Sequence, residues 1–283
     1  PVHIYRVCLQ TQLAAVGSNV IDAVLAGHVS AHVLGAVAVG ASIWTLAIVS
    51  GIGMMMSVPP SVSQLDGAGR RHEAGAVFRQ AIWLALGMGL LLWFAVRHAE
   101  PLIRLIGVSP GLYVDVGEFL RAISWGAPAL TCYFALRGLS EGLSLTRPSM
   151  YFSFGGLFLL VPLGYIFMFG KLGLPPQGAR GCGIATAMVL WLEMLAFGIY
   201  VLCHRNYRGL GILDHFEWPN LRRIGELVHI GLPMAITLLA EAGLFVAAAL
   251  LIGSMGEDAV ASHQVAINVA SLFFMIPLGL AMA

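Results

Sequence analysis

Two carboxylates lie where an ionised side chain is costly. Asp22 sits in Val20-Ile-Asp-Ala-Val-Leu-Ala-Gly27 and Glu241 in Leu238-Leu-Ala-Glu-Ala-Gly243, each among apolar residues with no Lys or Arg close in sequence. In a bilayer a charged carboxylate costs roughly 2.5 to 3.5 kcal/mol on insertion scales, so each needs a proton, a bound cation, water or a side chain distant in sequence. A proton asks least of the protein, because burial disfavours the charged form. Both acids are candidates for cation or proton coupling. Helical spacing places Gln12, Asn19 and Asp22 near one line, Thr237 with Glu241, and Gln264, Asn268 and Ser271 on a third. Asn19, Gln264 and Asn268 are the candidate polar lining of a wet interior. The competing reading makes these amides and hydroxyls interhelical hydrogen bonds, each worth about 1 kcal/mol or less.

Other residues invite chemistry less strongly. Glu193, in Leu190-Trp-Leu-Glu-Met-Leu195, has apolar neighbours at helical spacing; it either faces the bundle interior as a structural group or has a role in transport. His28 and His32 are four apart but lack a third metal ligand, and they read as an exposed loop. No metal site is expected beyond a coupling ion, with sodium at Glu241 as the one candidate. Met54 to Met56 offer a soft surface that serves packing or lipid contact better than ligand contact.

The elements that position these groups follow from composition. Of 283 residues, 59% are hydrophobic and 10% charged, against roughly 25% charged in soluble domains. Crossing about 30 Å of hydrocarbon takes around 20 apolar residues in a helix. Eight runs meet that length, at about residues 5 to 27, 33 to 62, 76 to 97, 116 to 140, 150 to 170, 181 to 203, 229 to 253 and 260 to 283. The fold class is all-α, a polytopic transmembrane bundle. Pro59, Pro60, Pro128, Pro162, Pro233 and Pro277 fall within these spans and are expected to bend them.

The connections after the second, fourth and sixth spans hold nine Lys and Arg residues, Arg70, Arg71, Arg79, Arg137, Arg147, Arg205, Arg208, Arg222 and Arg223, against five in the odd-numbered connections. The positive-inside rule therefore places these loops and the amino terminus in the cytoplasm. Shifting the first two spans by 226 residues superposes them on the last two without a gap: His3 meets His229, Gly17 meets Gly243, Gly27 meets Gly253 and Gly53 meets Gly279. Six spans separate the copies, so both enter the membrane in the same direction, as parallel transporter repeats do. The expected organisation is an amino-terminal lobe over 1–203, a cytoplasmic linker over 204–228 and the start of a carboxy-terminal lobe over 229–283. These are the first eight of about twelve helices in two six-helix lobes. In this alignment Glu241 matches Ala15 and Asp22 matches Ala248, so the two acids are not symmetry mates.

The run Asp22-Ala-Val-Leu-Ala-Gly27, then Gln64-Leu-Asp-Gly-Ala-Gly-Arg-Arg71 and Arg79-Gln80, resembles the multidrug and toxic compound extrusion (MATE) family in its NorM-like branch. Ile230-Gly-Leu-Pro233, Ala240-Glu-Ala242 and Ser262-His-Gln-Val-Ala-Ile-Asn268 resemble the seventh and eighth helices of that family. The resemblance implies a V of two lobes around a cavity for cationic and amphipathic drugs, and antiport against sodium or protons. It implies that Asp22 is the amino-lobe acid, Glu241 a carboxy-lobe cation ligand and Gln264 its polar neighbour, with a further acid in a later helix. It also implies a monomer in the inner membrane of a bacterium, in contact with lipid and drug. A tyrosine that some relatives place in the eighth helix has no counterpart here, where the local aromatics are Phe273 and Phe274.

Other function classes fit less well. A net charge of +1 and the absence of a basic patch argue against nucleic acid as a partner. Cys8, Cys132, Cys182 and Cys203 show no Cys-x-x-Cys spacing, so no disulfide framework or zinc site is expected. No basic n-region with a cleavage-type sequence opens the chain. No His-Glu-x-x-His, Gly-x-Ser-x-Gly or Walker-type sequence points to an enzyme, and no organic cofactor is expected. The nearest rival is a lipid or lipid-linked sugar flippase of related fold, which needs cationic side chains in mid-span that the sequence does not supply.

Overall fold

The computed structural model describes residues 17–18, 21–22, 24–99, 101, 112–170, 175, 177–212 and 217–253. Residues 24–29 are helical, and Ser30 starts α1 (Ala31–Met55) with its hydroxyl accepting from the Val33 N–H at 3.1 Å. The predicted second span is one helical stretch interrupted at Met56 and Ser57, next to the proline pair expected to bend it. It breaks after Met55 and resumes as α2 (Val58–Gly67), with the Pro59-Pro60 pair in the first turn. Proline has no N–H to continue the ladder of α1, and its fixed φ suits the first turn of a new helix. The buried Ser57 hydroxyl bridges the break by donating to Met54 O at 2.9 Å. Left-handed Gly69 and an Arg70 N–H to Leu65 O bond then close α2.

The next helix, α3 (Arg71–Arg97), begins five residues before its predicted start at 76. The fourth predicted span, 116 to 140, is also two helices. A tight turn at Ser124–Gly126 separates α4 (Tyr113–Ile123) from α5 (Ala127–Gly142), again with a proline, Pro128, in the new first turn. Two uninterrupted helices follow, α6 (Arg147–Phe169) and α7 (Gly178–Cys203). Pro162 lies within α6 without ending it. A short turn, Arg205–Leu210, leads into the connection before α8 (Leu221–Gly253), which contains Pro233.

The protein is an all-helical transmembrane bundle, and the described residues contain no strand. Five helical stretches among them are long and apolar enough to cross a bilayer: His32–Gly67, Arg71–Arg97, Arg147–Phe169, Gly178–Cys203 and Leu221–Leu244. Most of the predicted first span and all of the eighth lie outside the described residues. Large apolar side chains point outward, among them Leu90, Leu91 and Phe94 of α3 and Phe158 of α6. That pattern suits lipid, which makes no demand for a polar surface.

Small residues let the helices approach. Gly89 of α3 lies against the Pro128 backbone, and Thr131 of α5 donates across the same contact to Ala85 O at 2.8 Å. Gly183 of α7 receives the Phe119–Ile123 stretch of α4. Gly231 of α8 packs on Met54 of α1. Between the helices lie two apolar layers. One is built around Trp44, Val116, Phe119, Ile123 and Met168, the other around Met55, Val58, Phe78, Leu139 and Phe197. Met54 and Met55 belong to the second layer, so core packing accounts for them.

Candidate functional site

Asp22 projects from the first span toward α7. The Thr186 hydroxyl lies 3.5 Å from Asp22 Oδ2, and the Cys182 thiol, one turn earlier on α7, also hydrogen-bonds the carboxylate. Thr186 can direct its single proton to Cys182 O instead, at 3.0 Å. Beside the acid, Ala26 and Cys182 are buried in the first apolar layer, and Leu25 packs against Gly164 of α6. No Lys, Arg or His among the described residues pairs with Asp22. Among the described residues the half-buried carboxylate meets one distant hydroxyl and one thiol, neither of which brings positive charge.

Glu241 stands apart. It lies on the exposed side of α8, four residues after Thr237, whose hydroxyl donates back to Pro233 O at 2.9 Å. The predicted face shared by Thr237 and Glu241 exists as a helical stripe, but the hydroxyl is turned to its own helix. Among the described residues no hydrogen bond or ion pair links Glu241 to Asp22. Asn19, Gln264 and Asn268 lie outside the described residues.

Glu193 projects from the middle of α7 onto the bare backbone of Gly156 in α6, where a methyl group would overlap its carboxylate. Tyr133 of α5 is close enough to feel its charge, and the Tyr133 hydroxyl is 2.7 Å from Ser153 Oγ. His28 and His32 are not loop residues: His28 is helical and its Nδ1 lies 2.8 Å from Val24 O, while His32 stands in α1, 3.1 Å from Asp115. Serine at position 30 restarts the helix between them, which is why a Gly-His-Val-Ser sequence reads as a loop. Among the described residues no three His, Cys, Asp or Glu side chains form a metal-holding group.

Sequence reasoning missed a polar cluster at the start of α3. Arg79, counted above among loop cations, is an α3 residue only 11% exposed. It donates to Gly211 O and, at 2.6 Å, to Glu217 Oε1. Gln80 donates to Trp218 O at 3.2 Å and accepts from the Asn220 N–H at 2.7 Å, and Trp83 Nε1 donates to Glu217 O at 3.1 Å. The Arg79 guanidinium holds the Glu217 carboxyl below the usual carboxylate range. Three side chains within about one turn of α3 thus fasten the connection that precedes α8. The Asn220 side chain caps that helix by accepting from Arg222 N at 3.1 Å, so residues 221–228, read above as linker, are helical. Pro219-Asn220 was the available signal. The charges that follow it, Arg222, Arg223 and Glu226, exclude those turns from hydrocarbon and hid them from a search for apolar runs.

Comparisons with known proteins place this arrangement. The chain is 46% identical over 263 residues to a probable multidrug resistance protein NorM of Xanthomonas campestris, covering 93% of this chain and 57% of the relative. It is 40% identical over 276 residues to multidrug resistance protein MdtK of Yersinia enterocolitica, covering 96% of this chain and 60% of the relative. The chain therefore spans a little over half the length of these curated relatives. Among solved structures, the MATE transporter NorM-NG in complex with R6G and a monobody superposes with a TM-score of 0.81 at 32% identity, over 97% of this chain and 60% of that one. A MATE crystal structure in complex with MaD3S superposes at 0.86 and 20% identity, over 99% and 63%, which speaks for the fold. Because the MatE family model matches residues 8–166 and 233–283, most of the sequence, the chain belongs to the MatE family.

Proposed function

We propose that the protein works as a multidrug efflux antiporter, exporting cationic or amphipathic compounds in exchange for protons or sodium by alternating access. Asp22 is its amino-lobe coupling acid and Glu241 its carboxy-lobe one. The observation that carries this reading is the Asp22 carboxylate, held within the bilayer against a hydroxyl at 3.5 Å and a thiol. Such a group is neutralised by a proton, a metal cation or the positive head of a drug, and only one of these occupies it at a time. That exclusion couples the fluxes: an ion that binds one access state better than the other shifts the equilibrium by its difference in affinity. Hard cations gather several oxygen ligands. Among the described residues Thr186 is the oxygen partner of Asp22, and a proton needs no further ligand there.

The two-lobe organisation, with a lobe over 1–203, a linker over 204–228 and a second lobe from 229, belongs to the same proposal. The starts of the two family-model segments, residues 8 and 233, support it by falling within one residue of the 226-residue repeat offset. The arginines at the Arg71 end of α3 and in the connection before α8 support a cytoplasmic location for that side and an inner-membrane setting.

The test is efflux of a fluorescent cationic dye from cells expressing the full-length protein, with proton and sodium gradients collapsed separately. Collapsing the proton gradient is expected to stop efflux. Glu241→Gln is expected to abolish gradient-driven efflux while leaving the protein inserted. Efflux that survives the loss of both gradients would remove the coupling role of the two acids.

A further inference from the structure

Asp22 is not the only acid on the inner face of this helical set. On α7 the residues that meet it, Cys182 and Thr186, continue at spacings of three and four through Val189 to Glu193, so all four lie on one stripe. The opposite stripe, with Met188, Trp191, Leu192, Leu195 and Ile199, is exposed and apolar and faces lipid. Glu193 is therefore aimed inward, and the glycine at 156 leaves room for its carboxylate. No hydrogen bond or ion pair holds that carboxylate among the described residues. A structural mid-membrane acid is expected to be paired or hydrogen-bonded.

The groups that face it are few. From α5 comes Tyr133, tied to Ser153; beyond it Arg137 and Glu141 are engaged with each other at 2.6 Å. From α6 come Gly156 and Ser153, while Tyr151 and Tyr165 of that helix are exposed. The α4 contact with α7 lies at the other end, around Gly183. Among the described residues no hydrogen bond or ion pair ties a cation to Glu193, and Tyr133 offers a hydroxyl on the same side.

We propose that Glu193 is a second proton-carrying carboxylate, which accepts the proton that leaves Asp22 and passes it toward the Cys203 end of α7. The proposal rests on the coupling role given to Asp22 above. In the step, the Asp22 O–H bond breaks, leaving the carboxylate free for a cationic drug head, and a new O–H bond forms on a Glu193 oxygen. Glu193 then releases that proton to water at the Cys203 end. Thr186 and Glu193 are seven residues apart, about 10 Å along the helix, so water carries the proton between them. Val189, only 6% exposed, interrupts the stripe with an apolar side chain, which keeps the two acids separate until water enters past it.

The test uses the full-length protein in liposomes with an imposed pH gradient, following dye efflux and proton flux for the wild type, Glu193→Gln, Glu193→Asp and Asp22→Asn, with equilibrium dye binding alongside. Glu193→Gln keeps size and removes titration, and is expected to slow both fluxes about a hundredfold, the lower end of what a positioned proton-transfer group supplies. Dye affinity should stay unchanged. Glu193→Asp should recover most of the flux, because it can still carry a proton. Fluxes within twofold of wild type in Glu193→Gln, with Asp22→Asn inactive, overturn the relay and leave the coupling role of Asp22 intact. Equal losses in Glu193→Gln and Glu193→Asp accompanied by weaker dye binding also overturn it, as they mark a packing role. Normal coupled efflux by Asp22→Asn overturns the underlying role of Asp22 itself.

Discussion

Replacing Glu217 with Gln isolates the fastening between α3 and the segment before α8. The substitution keeps the shape of the side chain and leaves the backbone partners in place: Trp83 to Glu217 O, Gln80 to Trp218 O, and the Asn220 N–H to Gln80. What it loses is the charge-assisted bond from Arg79 at 2.6 Å and the long-range pull of Arg223 at 4.0 Å. A hydrogen bond to a charged group is worth about 1.5 to 3 kcal/mol, and partial exposure of Glu217 screens it toward about 1 to 2 kcal/mol. One to 2 kcal/mol of local opening is about a five- to thirtyfold change in an equilibrium constant. Amide hydrogen exchange should therefore show the Asn220 N–H exchanging about five to thirtyfold faster in Glu217→Gln, with little change in the middle of α7. The sign with pH follows from the lowered pKa. The folded-state carboxyl sits below its ordinary value, so the stabilisation is present above that ordinary value and is lost as pH falls through the folded one. Acidification should reproduce the effect in the wild type and add nothing from this pair in Glu217→Gln. Unchanged exchange at Asn220 in the variant would show that the ion pair does not hold the segment.

Other substitutions probe neighbouring contacts. Gly75→Ala places a methyl group on the Leu210 carbonyl, so the Arg205–Leu210 turn must move off α3; a loss of about 1 to 3 kcal/mol is expected as a lower unfolding temperature in detergent. Thr131→Val removes the hydroxyl that donates to Ala85 O at 2.8 Å, and interhelical bonds of this kind average about 0.6 kcal/mol in membranes, so a shift of no more than a few degrees is expected. Gly156→Ala should lower dye-coupled proton flux without lowering protein levels, because its methyl displaces the Glu193 carboxylate rather than a backbone; full activity in that variant would count against the position assigned to Glu193.

The helices that cross the bilayer were legible because lipid imposes a single demand, a long apolar run with internally satisfied backbone. Where the sequence reading failed, a local rule competed with that demand. Pro59 and Pro128 fall in apolar runs long enough to span, so the sequence predicts a bend at each and not the short break between two helices that the structure has. In the structure they sit in first turns, because a residue without an N–H is tolerated there and not in mid-ladder. The start of α8 was missed for the opposite reason: its first turns are charged, and hydropathy does not record a helix that projects beyond the bilayer. Asp22 was legible as a costly acid, but its partners Cys182 and Thr186 lie more than 150 residues away, and nothing in local spacing announces them. Arg79 and Glu217, 138 residues apart, were invisible for the same reason. Arg79 enters the sequence reading as a loop cation and, with Gln80, as part of a family resemblance, and the structure supplies its physical role.

The central claim is that Asp22 binds either a proton or a drug cation. It is tested most directly by measuring protons released when a cationic dye binds to the full-length protein in weakly buffered detergent solution. The wild type should release protons on binding, and Asp22→Asn should bind dye while releasing fewer, with gradient-driven efflux lost. Unchanged proton release and efflux in Asp22→Asn would contradict the account and place the coupling group elsewhere in the protein.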